Sequence, residues 1–236
     1  MINGINPAMT YKPDLDIAQL YASFASPIAE VDCGRLCAPH NPSGKPFCCD
    51  ICVAVPVALK EEWAYLKPNT QLWHRLRGDE CPNDPIDVPK MKAEMPGYMH
   101  LMACRGPEYC ERDFRTLSCR QFPFSPYITA DDRFIGLTYN WEFESVCWVI
   151  SNLQEVTPAY RREFIDIYDR LLYEYPKEYD SYYFLSEDMR ETFKKLRRRI
   201  PILHRDGWDY LLSPATDRLT RVDATQFRKF GPYRIS

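Results

Sequence analysis

Apolar positions recur at helical spacing in four stretches of the chain. In residues 14–26, Ile17, Leu20, Tyr21, Phe24 and Ala25 form one stripe, with Asp14 or Asp16 placed to cap the first turn and Pro27 to end it. A second helix is predicted over residues 56–66, opened by Pro56, with Leu59, Trp63 and Leu66 inward and Glu61 and Glu62 exposed; residues 71–77 add a further turn or two. A third runs from Thr157-Pro158 through residue 173 and points Tyr160, Phe164, Ile167, Tyr168, Leu171 and Leu172 inward. After a tyrosine-rich connection, residues 173–183, Ser186-Glu-Asp caps a fourth helix, with Met189, Phe193 and Leu196 apolar. Arg197, Arg198 and Arg199 fill its last turn, where cations suit the helix dipole.

Between these helices the pattern shortens. Residues 98–104 read as a strand and 133–139 as another, 141–150 as a strand or a helix start, and 117–124 as an irregular segment broken by Pro123. Asp206-Gly207 and the Ser213-Pro214 turn each stand between apolar or alternating segments, which predicts two C-terminal β-hairpins. Residues 38–46 and 78–97 carry the proline, glycine and acidic residues of long surface connections. The fold class is therefore α+β. The one plausible boundary, at residues 151–157, separates region 1–150 from the mainly helical region 151–236, and both are expected to pack as one globule.

Composition narrows the function. With 236 residues, 45% of them hydrophobic, the chain has ample material for a core, and its net charge of -3 offers no overall attraction to nucleic acid or to an anionic membrane. The basic run at 194–199 is accounted for by its helix end. No basic segment followed by an apolar core opens the chain and no apolar run is long enough to span a bilayer, so a cytoplasmic location is expected. The nine glycines form no phosphate-cradling motif, which counts against a nucleotide held on a Gly-rich turn.

The ten cysteines change the picture most. They fall into an upstream group, Cys33, Cys37, Cys48, Cys49 and Cys52, and a downstream group, Cys104, Cys110 and Cys119, with Cys81 and Cys147 apart. In a reducing compartment such clustering argues for thiolate ligation rather than for five disulfides. Cys48 and Cys49 point to opposite sides of an extended chain, so sharing one ion would require a sharp turn there. Cys52 reads equally as a ligand or as a small buried hydrophobe, Cys147 as a core residue, and Cys81 as the cysteine least expected to bind metal. The four histidines, His40, His74, His100 and His204, are scattered. Spacings of Cys33-x3-Cys37 and Cys104-x5-Cys110 are wider than the paired CxxC of zinc ribbons and suit a bulkier iron–sulfur cluster better than one small ion.

These residues also carry a resemblance. Cys33, Cys37, Cys48-Cys49, Glu61 or Glu62, Cys104, Cys110, Arg115 and then Cys119-Arg120-Gln-Phe122-Pro123-Phe124 resemble the YkgJ-like cysteine-cluster (CxxCxxCC) family, described as a zinc- or iron-chelating domain and related to flagellin lysine N-methylase. Thr116 stands where that family commonly has proline. The resemblance covers about residues 31–124 and implies metal ligands at Cys33, Cys37, Cys48, Cys49, Cys104, Cys110 and Cys119. Arg115 and Arg120, flanking Cys119, are positioned to lower thiolate pKa and to offset the charge of an anionic cofactor. The expectation is an irregular cysteine-rich metal-binding core with short strands, packed with amphipathic helices, that holds an iron–sulfur cluster of the 4Fe-4S type. Zinc is the alternative metal, and a protein-modifying enzyme acting on a protein substrate or partner, such as a lysine N-methylase-like methyltransferase, is the alternative activity.

Overall fold

The computed structural model describes residues 15–234 of the chain. Helix α1 (Ile17–Ala22) is capped by the Asp16 carboxylate, which accepts from the Gln19 N–H; Asp14, the other candidate cap, lies outside the described residues. A five-residue helix, α2 (Cys33–Cys37), starts at Asp32, whose carboxylate accepts from the N–H groups of Gly34 and Arg35. The segment predicted as one helix from Pro56 divides instead into strand β1 (Val57–Leu59) and helix α3 (Lys60–Asn69). Strand β2 (Trp73–Arg75) replaces the further turn expected at 71–77, and helix α4 (Val88–Glu94) sits within the proline-rich excursion.

Strand β3 (Met99–Cys104) forms where expected and is the centre of a small antiparallel sheet, β1-β3-β2. Cys104 ends β3 opposite Trp73 of β2. After it, Gly106 turns the chain at a φ of 115°, where a Cβ would also meet the Glu108 carboxylate at 2.7 Å, so glycine is required there. Helix α5 (Leu117–Gln121) follows where irregular chain was expected, and Thr116 caps it by accepting from the Cys119 N–H at 3.3 Å.

The second sheet is an antiparallel meander of five strands in chain order: β4 (Phe124–Ile128), β5 (Phe134–Tyr139), β6 (Ile200–His204), β7 (Asp209–Leu212) and β8 (Leu219–Val222). Both predicted C-terminal hairpins are present, as β6-β7 and β7-β8. Residues 141–150 form neither strand nor helix but two short 3-10 turns, Trp141–Phe143 and Ile150–Glu155, with loop between.

Helix α6 (Pro158–Glu174) matches its sequence signature: Thr157 caps it and Tyr160, Phe164, Ile167, Tyr168, Leu171 and Leu172 are buried. Helix α7 (Pro176–Lys195) begins ten residues before the expected cap and absorbs the tyrosine-rich connection. Ser186 is interior to it and buried; its hydroxyl donates to the Tyr182 carbonyl at 2.7 Å and accepts from the Ile128 N–H at 3.0 Å. The hydroxyl that resembled a cap ties α7 to β4 instead. Arg197–Arg199 lie beyond the helix end, and Arg198 pairs with Glu144.

The main core draws on both regions, with Phe24, Leu66, Met102 and Leu117 in one cluster with Tyr160, Phe164 and Tyr168. Among the described residues no helix is long and apolar enough to cross a membrane.

Candidate functional site

Each predicted ligand is set by a short element with its own cap or turn. Asp32 starts α2 and so fixes Cys33 and Cys37 one turn apart. Cys48 and Cys49 sit on a 3-10 turn, Phe47–Cys49, which supplies the sharp turn that an extended chain would have denied them; their sulfurs are 3.8 Å apart. That turn is braced from below by buried Asp50, whose carboxylate accepts from the Ser43 hydroxyl at 2.7 Å, the Asn41 amide at 3.1 Å and the Cys52 N–H at 3.1 Å. Cys104 is delivered by β3, Cys110 by the turn Pro107–Tyr109, and Cys119 by α5.

These elements converge. One cavity of about 310 Å³ is lined by Cys48, Cys49, Cys104, Cys110 and Cys119 together with Arg115, and an adjoining one of about 540 Å³ by Cys33, Cys37, Cys48, Cys49, Cys110 and Cys119. All seven predicted cysteines therefore face the same region, although Cys48 and Cys104 lie far apart in the chain. Cys147 faces it too, on the larger cavity.

The remaining two cysteines are elsewhere. Cys52 and Cys81 form a disulfide, with Cα atoms 5.6 Å apart, that staples the proline-rich excursion to the segment entering β1. Cys52 is thus neither ligand nor buried hydrophobe, and the eight other cysteines are free. His100 lies beside Arg75 and His204 beside Asp206, so neither joins the cysteines.

Comparison with known protein families, with curated proteins and with solved structures finds no match to this chain. The site is therefore read from its own geometry.

Burial pushes the Cys33 thiol up to about 11 and the Cys119 and Cys147 thiols up to about 12, and it raises Cys37 and Cys104 as well. Without a cation beside them these groups stay protonated, because clustering like charges in a desolvated pocket is costly. Cys49 is the exception. Its thiol is lowered to about 7, first by the contact with the Cys48 thiol, in which either sulfur could donate, and then by the positive charge of Arg115, while its partner Cys48 is raised.

The two arginines differ in role. Arg115 points its Nε at the Cys110 sulfur, 3.1 Å away. Burial opposes its charge, but that bond and the facing thiols of Cys110, Cys49 and Cys119 outweigh the cost and keep it a firm cation. Arg120 instead spends its guanidinium on backbone: Nε donates to the Arg115 carbonyl, Nη1 to those of Tyr21 and Phe24, and Nη2 to those of Arg112 and Asp113. Its plane also lies 4.4 Å from the Tyr21 ring centre. Arg120 lines the larger cavity, yet its donors hold the loops in place.

Glu62 is the residue of this site that amphipathic patterning misplaced. It is 1% exposed and accepts from the Tyr21 hydroxyl at 2.7 Å, the Leu59 N–H at 2.8 Å and the Leu117 N–H at 2.7 Å. Leu117 is the first residue of α5, so this one carboxylate joins α1, α3 and the helix that carries Cys119.

Among the described residues no group of three or more His, Cys, Asp or Glu side chains is drawn together as the donors of a single ion would be. A zinc ion takes its four donors at about 2–2.3 Å, so a mononuclear site would require these sulfurs to close in from the cavity walls. A polynuclear cluster, whose own sulfides and irons fill the space between thiolates, needs them to ring a void instead. The donor set is soft and anionic when ionised, and the Arg115 cation lies 3.1 Å from the Cys110 sulfur.

Proposed function

We propose that this protein is a metal-binding protein whose cysteine-lined cavities hold an iron–sulfur cluster, of the 4Fe-4S type, through thiolates drawn from Cys33, Cys37, Cys48, Cys49, Cys104, Cys110 and Cys119. The observation that supports it most is the sorting of the cysteines: those forming a disulfide lie outside the cavities, and every free one faces them. Free thiols gain little from one another in such a place. A shared cation reverses the balance, because it stabilises the thiolate form of each sulfur it touches. The resemblance to the YkgJ-like family on the same residues points the same way.

In this reading the residues have distinct duties. The thiolates hold the metal, Arg115 offsets part of the negative charge through Cys110, and Glu62, Thr116 and Asp50 fix the short elements from which the thiolates project. When bound, a cluster would supply a covalent tie between remote parts of the chain, contributing on the order of 10 kcal/mol to folding, and a redox-active centre.

The test is anaerobic purification with iron, sulfide and zinc analysis and a visible spectrum. Iron with labile sulfide, and broad absorption that bleaches on reduction, is the expected result. Stoichiometric zinc without colour would assign the site to zinc, and absence of both metals would overturn the proposal.

A further inference from the structure

A separate cavity of about 230 Å³ lies on the small sheet and shares no lining residue with the cysteine cavities. Arg75 of β2, His100 of β3 and Lys92 of α4 line it, together with Leu76, Leu101 and Met95 from a small apolar cluster. No aspartate or glutamate does. In a chain of net charge -3, whose segment 78–97 alone carries Asp79, Glu80, Asp84, Asp87 and Glu94, such a gathering of cations calls for a reason. Two of those carboxylates are committed elsewhere. Glu80 accepts from the N–H groups of Arg77 and Gly78 and faces His74, while Asp87 caps α4 by accepting from the Lys90 N–H. Among the described residues no ion pair joins a carboxylate to Arg75 or Lys92.

The three side chains also leave one another unsatisfied. Arg75 Nη2 lies 2.6 Å from His100 Nε2 and 2.9 Å from His100 Nδ1. A guanidinium has only donors and a neutral imidazole has one acceptor nitrogen, so one of these two contacts sets N–H against N–H. Protonating His100 would make the pair worse. Burial first, and then the charges of Arg75, Lys60 and Lys92, hold that imidazole below its ordinary range. The group missing from this corner is an acceptor that carries negative charge.

We infer that this cavity is a binding site for a small phosphomonoester, its phosphate among Arg75, Lys92 and His100 and its organic part against Met95 and Leu76. A carboxylate has two oxygens, enough for the Arg75 fork alone. A phosphate offers three acceptor oxygens and close to two negative charges, which matches donors arriving from β2, β3 and α4. The cavity is smaller than the roughly 300–1,000 Å³ of sites for drug-sized molecules, so the organic part is short. Met95 suits it, because an unbranched thioether adapts to the shape laid against it. The inference stands apart from the metal reading and needs no thiolate.

The experiment titrates the full-length protein, at constant ionic strength, with inorganic phosphate, phenyl phosphate and benzoate. It follows the His100 ring signals by NMR, assigned by their loss in His100→Gln, and measures affinity by calorimetry. Phenyl phosphate is expected to bind saturably, more tightly than inorganic phosphate, and to raise the pH at which His100 titrates. Arg75→Ala and Lys92→Gln, both at exposed positions, should each weaken it by about tenfold or more. Circular dichroism confirms that each variant folds. Absence of saturable binding up to about 10 mM would overturn the inference, as would binding that both substitutions leave unchanged. Benzoate binding as tightly as phenyl phosphate would overturn the assignment to phosphate. Metal analysis of the same sample reads the cysteine site independently, so either reading can fail without the other.

Discussion

Glu62 offers the sharpest test of how the site is built. Its carboxylate is buried and satisfies three donors: the Tyr21 hydroxyl and the Leu117 N–H on Oε1, and the Leu59 N–H on Oε2. Glu62→Ala leaves all three unpaired, each at about 1–3 kcal/mol, and opens a small void that water can enter. Taking the lower part of that range gives a loss of roughly 3–5 kcal/mol, a large share of the 5–15 kcal/mol typical of a domain. Glu62→Gln keeps one carbonyl oxygen for Tyr21 and Leu117 and sets an amide N–H against the Leu59 N–H, a single mismatch of about 1–2 kcal/mol. Burial raises the Glu62 carboxyl above its usual range. The folded protein therefore binds this proton more tightly than the unfolded one, and the associated stability is present at acid pH and lost as pH rises through the raised value. Glu62→Gln removes that slope. Urea unfolding of the protein as purified, at several pH values, measures all of this. Equal losses for the two variants, or losses below about 0.5 kcal/mol for both, would refute the role assigned to Glu62.

Other predictions concern the thiols and the loops around them. In metal-free protein the reactivity of Cys49 toward iodoacetamide should rise with pH through a midpoint near 7, so that about half is thiolate at neutral pH against about 3% of an ordinary thiol. Arg115→Ala should move that midpoint upward; an unchanged profile would deny Arg115 its electrostatic role. Asp50 is held below the usual carboxylate range because hydrogen bonds from Ser43, Asn41 and the Cys52 N–H outweigh its burial. Its contribution is therefore present above about pH 4 and lost as pH falls through the depressed value. Asp50→Ala should cost roughly 1–3 kcal/mol and flatten the acid limb of the stability curve, and a variant with an unaltered acid limb would count against the brace. Replacing both Cys52 and Cys81 with alanine opens a loop closed across 29 residues, and should lower stability by about 3–4 kcal/mol on the chain-entropy estimate while leaving metal content intact. A loss of metal in that variant would mean the staple shapes the site.

How far the chain could be read in advance follows from the length of its signals. Helix α6 carries a capping Thr-Pro and buried positions at helical spacing over 17 residues, so periodicity alone locates it. The hairpins are announced by Asp206-Gly207 and by the Ser213-Pro214 turn between short apolar runs. Strands β1 and β2 have three residues each, too few to alternate visibly, and β1 follows a proline that equally suits a helix start. Ser186 misled because a serine hydroxyl that caps a helix and one that bonds another strand look alike in sequence. Glu62 was placed outward because carboxylates are rarely fully buried unless paired, and its three donors come from residues as distant as Tyr21 and Leu117. The seven ligand candidates could be picked out because cysteine chemistry restricts what a cluster of them can do. Cys147, expected to be a core residue, does pack against the main core; that it also lines the larger cavity could not be foreseen, because the other cysteines there are its neighbours in space and not in sequence. The Cys52–Cys81 bridge was hidden for the same reason.

The claim on which everything else depends is that cysteines from α2, the 48–49 turn, the end of β3 and α5 serve a common metal-holding region. Alkylation mapping of the protein as purified without oxygen, before and after metal is stripped with a chelator and an oxidant and the freed thiols are re-reduced, tests it directly. The account predicts that Cys33, Cys37, Cys104, Cys110 and Cys119 are shielded together in the first sample and labelled together in the second. Free labelling of either the upstream or the downstream group in the metal-loaded protein would contradict it.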